Sequence, residues 1–324
     1  MEKRLLHTPE GVRDIYGEEL KHKLNTQQKL LETLHENGYA DIETPTIEFF
    51  DVFSSRIGTI PSNELYKFFD KEGNTLVLRP DFTPSIARFV AKYHMEDEKA
   101  LRFCYCGSTF VNSSDFQGRL KESTQIGAEF IGDGSAEADA EIIRLMIECL
   151  KKVGLTEFQI TIGNVEYFKG LCDEFRIEEE AELSLREMIS NKNFFGASDI
   201  MDELSLSEKQ REQILRINDL FGSIEKILPA MEDVTNKRSL ASLKRLEDIH
   251  NALRKQGYAD YISFDLGVLS KYHYYTGIIA NAYTYGTGDA IVKGGRYDNL
   301  LSEFGKKAPA IGFAIVVDQL IRVV

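Results

Sequence analysis

The stretch LRFCYCGSTFVNSSDFQGRLKESTQIGAEFIG, residues 101–132, decides how the chain is read. Leu101 to Cys106 is an apolar run, and Glu122 to Ile131 is a second. A polar loop separates them, so the pattern predicts two strands flanking a loop. On the N-terminal side, Leu20, Leu24, Leu31 and Leu34 fall on one helical face, with Asn37-Gly38 as the stop signal. Tyr39 to Glu48 reads as a strand carrying Pro45. Leu76 to Leu78 reads as a short strand entering Arg79-Pro80, and Pro84 to Tyr93 as a helix. On the C-terminal side, Ala136 to Val153 is a long helix ended by Gly154. Phe158, Ile160 and Ile162 then alternate with polar residues, as in a half-buried strand.

From about residue 166 to 256 the pattern changes. Leu183, Met188 and Ile189, then Ile214, Ile217, Leu220 and Phe221, recur at helical spacing and predict an all-helical insertion. Strand candidates return at Ile262 to Leu266 and Ile278 to Tyr283. Glycine-rich turns are expected at Gly286, Gly288 and Gly294-Gly295, and a last helix near Val317. Strands, then helices, then strands predict an α+β domain built from residues 1–165 and 257–324 around an antiparallel sheet, interrupted by a helical module at 166–256.

Bulk properties narrow the function. With 324 residues and 43% hydrophobic residues, the chain can bury a large core. The formal charge of −13, from 39 basic and 52 acidic residues, argues against a nucleic-acid partner, whose phosphates are met by basic faces. Lys237, Arg238, Lys244 and Arg245 read as a solvated helix face. No apolar run reaches membrane-spanning length and no signal peptide is indicated, so no membrane association and a cytoplasmic location are expected. The four cysteines, Cys104, Cys106, Cys149 and Cys172, read as buried inert thiols, the first two alternating across a strand. Neither they nor the histidines show metal-ligand spacing, so no metal and no cofactor are expected.

Several strings resemble class II aminoacyl-tRNA synthetases, and within them the histidyl enzyme, over nearly the whole chain. Thr8 to Asp14 resembles that family's opening segment. The first helix with Gly38-Tyr39 and Thr44-Pro45 resembles motif 1, which builds a dimer interface, and Phe103 to Gly132 resembles motif 2. Leu78 to Thr83 resembles the strand and turn lining the amino-acid pocket. Tyr274-Tyr275-Thr276-Gly277 resembles a histidine-specific signature, and Gly294 to Asp298 with Ala310 to Ala314 resembles the approach to motif 3. The resemblance implies a class II synthetase-like sheet flanked by helices. It implies a histidine-binding set of Asp81, Thr83, Gln125, Glu129, Tyr274 and Tyr275. Asp81, Thr83 and Gln125 would hold the amino group, and Glu129 and Tyr275 the imidazole, with Tyr274 beside them.

The departures from that family carry the functional reading. Amino-acid activation spreads negative charge over a polyphosphate, which fixed guanidinium groups neutralise. Where the family places three arginines, this chain has Val111, Ser270 and Gln319. Ser113 and Ser114 replace the charged residues after the first, and His273 replaces an aspartate. Lys271 stands beside Ser270, but an ammonium does not reproduce a bidentate guanidinium fork. Arg119 and Lys121 fall beyond the principal phosphate contact. Losing one oxyanion donor typically costs about 10²–10³ in rate, so no catalytic residues are assigned. The sequence also stops at Val324, where histidyl synthetases continue into an anticodon-binding domain, and none is expected. The combination resembles the regulatory subunits of ATP phosphoribosyltransferase. That resemblance implies a short-form catalytic subunit as partner, a homodimer within a hetero-octamer, and histidine as feedback effector. The competing expectation is a paralogue that activates histidine for an acceptor other than tRNA.

Overall fold

The computed structural model describes residues 6–54, 60–112, 120–269 and 274–324. Helix α1 (Gly17–Glu36) leads through β1 (Ala40–Asp41) and β2 (Ile47–Phe49) to β3 (Lys67–Phe69), β4 (Thr75–Leu78) and α2 (Thr83–Tyr93). The hairpin strands β5 (Leu101–Phe110) and β6 (Glu122–Ile131) follow, then α3 (Ala136–Lys152), β7 (Phe158–Asn164) and α4 (Val165–Phe175). Next come α5 (Glu179–Ser190), α6 (Phe194–Glu203), α7 (Glu208–Leu215), β8 (Phe221–Gly222), α8 (Ile224–Ile227) and α9 (Lys237–Lys255). The chain closes with β9 (Ile262–Asp265), β10 (Ile278–Thr284), β11 (Val292–Arg296), β12 (Ala310–Val316) and α10 (Val317–Leu320).

A nine-stranded sheet in the order β1-β5-β6-β12-β11-β10-β7-β9-β8 forms the centre, and β2-β4-β3 form a second small sheet. The run from β5 to β7 is antiparallel, while β1–β5 and β7–β9 are parallel. The quoted hairpin pairs from Leu101↔Ile131 to Phe110↔Glu122, so its first strand runs four residues beyond the apolar stretch. One face of the sheet carries Cys104, Ile126, Ala128, Phe130, Phe313, Ile315, Ile160 and Ile162 into a core shared with α1, α3, α4 and α9. Helix α3 is buried on several sides because α1 and α9 both pack on it. Ser135 caps it by accepting the Ala138 N–H at 3.2 Å. Each fully buried leucine or isoleucine here contributes about 1.5–3 kcal/mol through removal from water.

Several expectations are corrected. The 39–48 segment divides into β1 and β2, which join different sheets. Pro45 between them has no N–H to give a ladder. Leu30 and Leu34 of α1 are fully buried, but Leu20 and Leu24 are 37% and 54% exposed. Gly294 and Gly295 lie inside β11 and make no turn. Their missing side chains matter through close approach, since a Cβ on Gly294 would stand 2.5 Å from the Gly312 carbonyl oxygen. The 166–256 stretch is helical except for β8, which pairs with β9 at the sheet edge and leaves Phe221 57% exposed. Cys104 and Cys106, two residues apart, share a face of β5 as strand geometry requires; Cys104 is buried in the core and Cys106 is exposed. Lys237 and Lys244 are exposed as expected, while Arg238 and Arg245 are also ion-paired, the first with Glu166 and Asp173, the second with buried Asp139.

Candidate ligand-binding site

The opposite face of the sheet is hollowed by glycine. The paired positions Phe103, Glu129, Gly312, Gly295, Ile279 and Gly163 cross the strands in one row. A Cβ on Gly312 would lie 1.7 Å from Glu129 Oε2, and one on Gly295 would lie 2.6 Å from the Tyr275 ring. Glycine at these positions makes the floor on which both side chains lie. Each strand there sends its alternate residues to the core on the other face, so the same pleat that packs Ile126 and Ala128 aims Gln125, Gly127 and Glu129 at this hollow.

Glu129 is the centre. It is 1% exposed and accepts hydrogen bonds from two hydroxyls: Thr83 Oγ1 on Oε1 at 2.7 Å, and the Tyr297 phenol on Oε2. Burial pushes its carboxyl up to about 8, opposed by the bonds from Tyr297 and Thr83 and aided by the nearby Asp81. Thr83 begins α2, where Pro84 suits the first turn because its missing N–H has no helical partner to serve. Asp81, just before, is half-buried; its Oδ1 accepts the Thr83 N–H at 3.3 Å. Burial raises the Asp81 carboxyl as well. Two acidic groups with raised ionisation, beside each other in one hollow, mark a functional site better than either alone.

Aromatic rings enclose the hollow. Tyr275 is 7% exposed and lies on Gly295, with Tyr274 at 4.5 Å between ring centroids. Tyr274 also meets Tyr297 edge-on at 6.1 Å. The structure therefore brings Asp81, Thr83, Glu129, Tyr274 and Tyr275 together. Gln125 lies on the same face beyond Gly127, and its Oε1 is buried without a hydrogen-bond partner among the described residues.

Three site residues were not singled out in the sequence. Tyr297 holds Glu129, and its only signal was its place in the string Gly294 to Asp298. Tyr105 lies on the hollow side of β5, stacked on Phe82 at 4.2 Å, and its alternation with Cys104 was the available sign. Arg79 is 5% exposed and donates to the Thr44 and Ser108 carbonyls at 2.6 and 2.9 Å, tying the turn before α2 to β5.

At two of the three positions expected to lack arginine, the surroundings are defined. Val111 follows β5 and donates its N–H to the Lys121 carbonyl at 2.9 Å. Gln319 sits in α10, its buried Oε1 without a partner among the described residues. Ser270, Lys271 and His273, like Ser113, Ser114 and Arg119, lie outside the described residues. Elsewhere, His35, Asp41 and Cys104 converge with ligand-type atoms within 4.8 Å, which sequence spacing did not suggest. His35 and Asp41 already bond each other at 2.9 Å, and the Cys104 thiol is near Asp41 at 3.6 Å.

A model of the histidyl-tRNA synthetase family matches residues 11–320. The ATP phosphoribosyltransferase regulatory subunit of Ruminiclostridium cellulolyticum is 41% identical over 315 residues, covering 97% of this chain and 75% of that protein. Its counterpart from Acetivibrio thermocellus is 40% identical with the same coverage. A solved structure described as an ATP phosphoribosyltransferase regulatory subunit/histidyl-tRNA synthetase from Bacillus halodurans aligns with TM-score 0.91 at 35% identity, covering 98% of this chain and 83% of that one. A histidine–tRNA ligase subunit from Alicyclobacillus acidocaldarius aligns with TM-score 0.82 at 26% identity, covering 98% and 96%.

Proposed function

Because the chain belongs to the histidyl-tRNA synthetase-like family of ATP phosphoribosyltransferase regulatory subunits, we propose that it is the histidine-sensing, non-catalytic member of a complex with a short-form catalytic subunit. It serves that subunit's activity and its feedback inhibition by histidine. The observation that carries this reading is the contrast within one site. The hollow around Glu129 keeps its acid, its two hydroxyls and its aromatic walls, while Val111 and Gln319 stand where activation chemistry would need guanidinium groups.

In this reading Asp81, Thr83 and Gln125 hold the amino group of histidine, and a carboxyl oxygen of Glu129 takes a ring N–H. Tyr274 and Tyr275 wall the ring. A carboxylate and a phenol suit imidazole because its two nitrogens offer a donor and an acceptor. Histidine shifts the complex only through different affinity for two of its states. About tenfold discrimination requires ~1.4 kcal/mol of coupling, which is within reach of one or two hydrogen bonds made in only one state.

The base of the assembly is a homodimer through the segment resembling motif 1, within a hetero-octamer. Tyr16 at 80%, Leu20 and Leu24 on α1, and Ile47 and Phe49 on β2 support it, since they leave apolar side chains open on elements of that segment. No helix among the described residues is long and apolar enough to cross a membrane, and a cytoplasmic location without nucleic acid fits the acidic charge. The 166–256 stretch is the inserted module of this domain.

The test is calorimetric titration of the chain with L-histidine, beside an ATP–pyrophosphate exchange assay with the same preparation. Binding without exchange is the predicted result. Histidine-dependent exchange would favour the activating paralogue instead, and no binding would remove the sensor.

A further inference from the structure

Three side chains of metal-binding type meet at the β1 edge of the large sheet, on the side away from the hollow. His35 stands in the last turn of α1, Asp41 ends β1, and Cys104 lies on β5. The turn at Gly38 folds β1 back beside the helix, and parallel pairing sets Asp41 next to Cys104. His35 Nε2, an Asp41 carboxylate oxygen and Cys104 Sγ all lie within 4.8 Å of one another. Asp41 Oδ1 accepts from both neighbours, 2.9 Å from His35 Nε2 and 3.6 Å from the Cys104 sulfur. The sulfur is sealed in the core, whereas the His35 and Asp41 side chains are 44% and 71% exposed, which leaves an ion a way in. Imidazole, carboxylate and thiolate are the side chains that zinc takes, and around a tetrahedral ion their atoms stand about 3.3–3.7 Å apart. The sulfur–oxygen separation already has that value, and the nitrogen–oxygen separation needs only a few tenths of an ångström more. A carboxylate and a thiolate together balance a divalent charge, and the negative end of the α1 dipole adds to the attraction.

We propose that His35 Nε2, Asp41 Oδ1 and Cys104 Sγ bind a Zn²⁺ ion, with a solvent molecule completing a four-coordinate site. The ion takes the place of the two protons now shared with Asp41. Cys104 releases its proton to solvent as the sulfur–metal bond forms, and His35 binds as the neutral ring with its proton on Nδ1. Bound there, the ion fastens the C-terminal end of α1 to β1 and β5. His35 and Asp41 are 6 residues apart and Cys104 lies 63 beyond Asp41, so only the fold brings the set together. The site is separate from the histidine reading of the hollow and stands or falls without it.

The experiment takes the untagged full chain, strips it with a chelator and titrates it with Co²⁺. A thiolate-to-cobalt charge-transfer band reports the sulfur ligand, and strong visible bands report four-coordination. Wild type and Cys106→Ser are expected to take up a single Co²⁺ per chain with both signatures and to give it up to Zn²⁺. Cys106 is the exposed cysteine nearby, so its variant separates this site from capture by a surface thiol. Cys104→Ala is expected to lose the charge-transfer band. His35→Ala changes an exposed side chain, and it is expected to melt like the metal-free wild type and to bind Co²⁺ at least about tenfold more weakly. That variant decides the matter even if Cys104→Ala fails to fold. No charge-transfer band in wild type overturns the proposal. So does a band that persists in Cys104→Ala, a band lost in Cys106→Ser, or an affinity unchanged in His35→Ala, each of which means adventitious capture.

Discussion

A carboxyl group that is 1% exposed and held by two hydroxyls, as Glu129 is, ionises reluctantly, and burial moves it to about 8. The consequence for stability has a definite sign. Between the ordinary glutamate range and about pH 8, the folded chain keeps a proton that the unfolded chain has released. Unfolding free energy from this group is therefore full at low pH, falls as pH rises through that window, and is flat above it. Glu129→Gln keeps a neutral, hydrogen-bonding side chain and deletes the titration. Denaturant unfolding of both proteins from pH 5 to 9 is predicted to show wild type losing stability relative to the variant as pH rises. The gap at pH 9 should be on the order of a few kcal/mol. Parallel profiles would mean that Glu129 ionises normally. Groups remote from the hollow act on both proteins alike, so the difference isolates Glu129 together with its coupling to Asp81.

At the scale of elements, α3 is tied to the sheet and to α9 by one buried carboxylate. Asp139, with its side chain fully buried, accepts from Arg296 of β11 at 2.6 and 2.8 Å and from Arg245 of α9 at 2.6 Å. The Arg296 side chain is itself only 5% exposed. Asp139→Asn leaves that guanidinium with only the less buried Asp298, 3.0 Å away, as counter-charge, and breaking a buried pair typically costs up to about 3–5 kcal/mol; an unchanged denaturant midpoint would show the network to be dispensable. This tie was not legible in the sequence. Asp139 and Arg245 read there as polar positions of two helices, and only the tertiary fold makes them neighbours. The hairpin around residues 101–132 was legible because its alternation and polar loop are local. So was the stop of α1, where Gly38 takes a φ of +81° that glycine tolerates without strain. The row Gly163, Gly295 and Gly312 was not, because its meaning depends on register across strands far apart in the chain. Of the hollow, the short polar strings were legible by resemblance. The partnership of Tyr297 with Glu129 spans 168 residues and left no local mark.

For the whole molecule, the claims concern what it assembles with. Leu24, more than half exposed on α1, is expected to be covered by a second copy. Leu24→Glu should then convert a dimer to a monomer in light scattering after size exclusion, with little change in thermal stability of the monomer fold. A variant as dimeric as wild type would move the interface elsewhere. The net charge of −13 is unfavourable for a polyanionic partner. In the proposed reading, the functional unit is a complex in which the hollow around Glu129 is coupled to a catalytic site on another chain. That coupling is measured most directly by reconstitution. This protein is mixed with a short-form ATP phosphoribosyltransferase catalytic subunit from the same source. Product formation from ATP and phosphoribosyl pyrophosphate is followed against histidine concentration, with wild type and with Glu129→Ala, each normalised to its own uninhibited rate. The account predicts activity that rises on mixing and falls with histidine, with the inhibition curve of the variant moved at least tenfold to higher histidine. Superimposable inhibition curves, or a catalytic subunit indifferent to this protein, would contradict it.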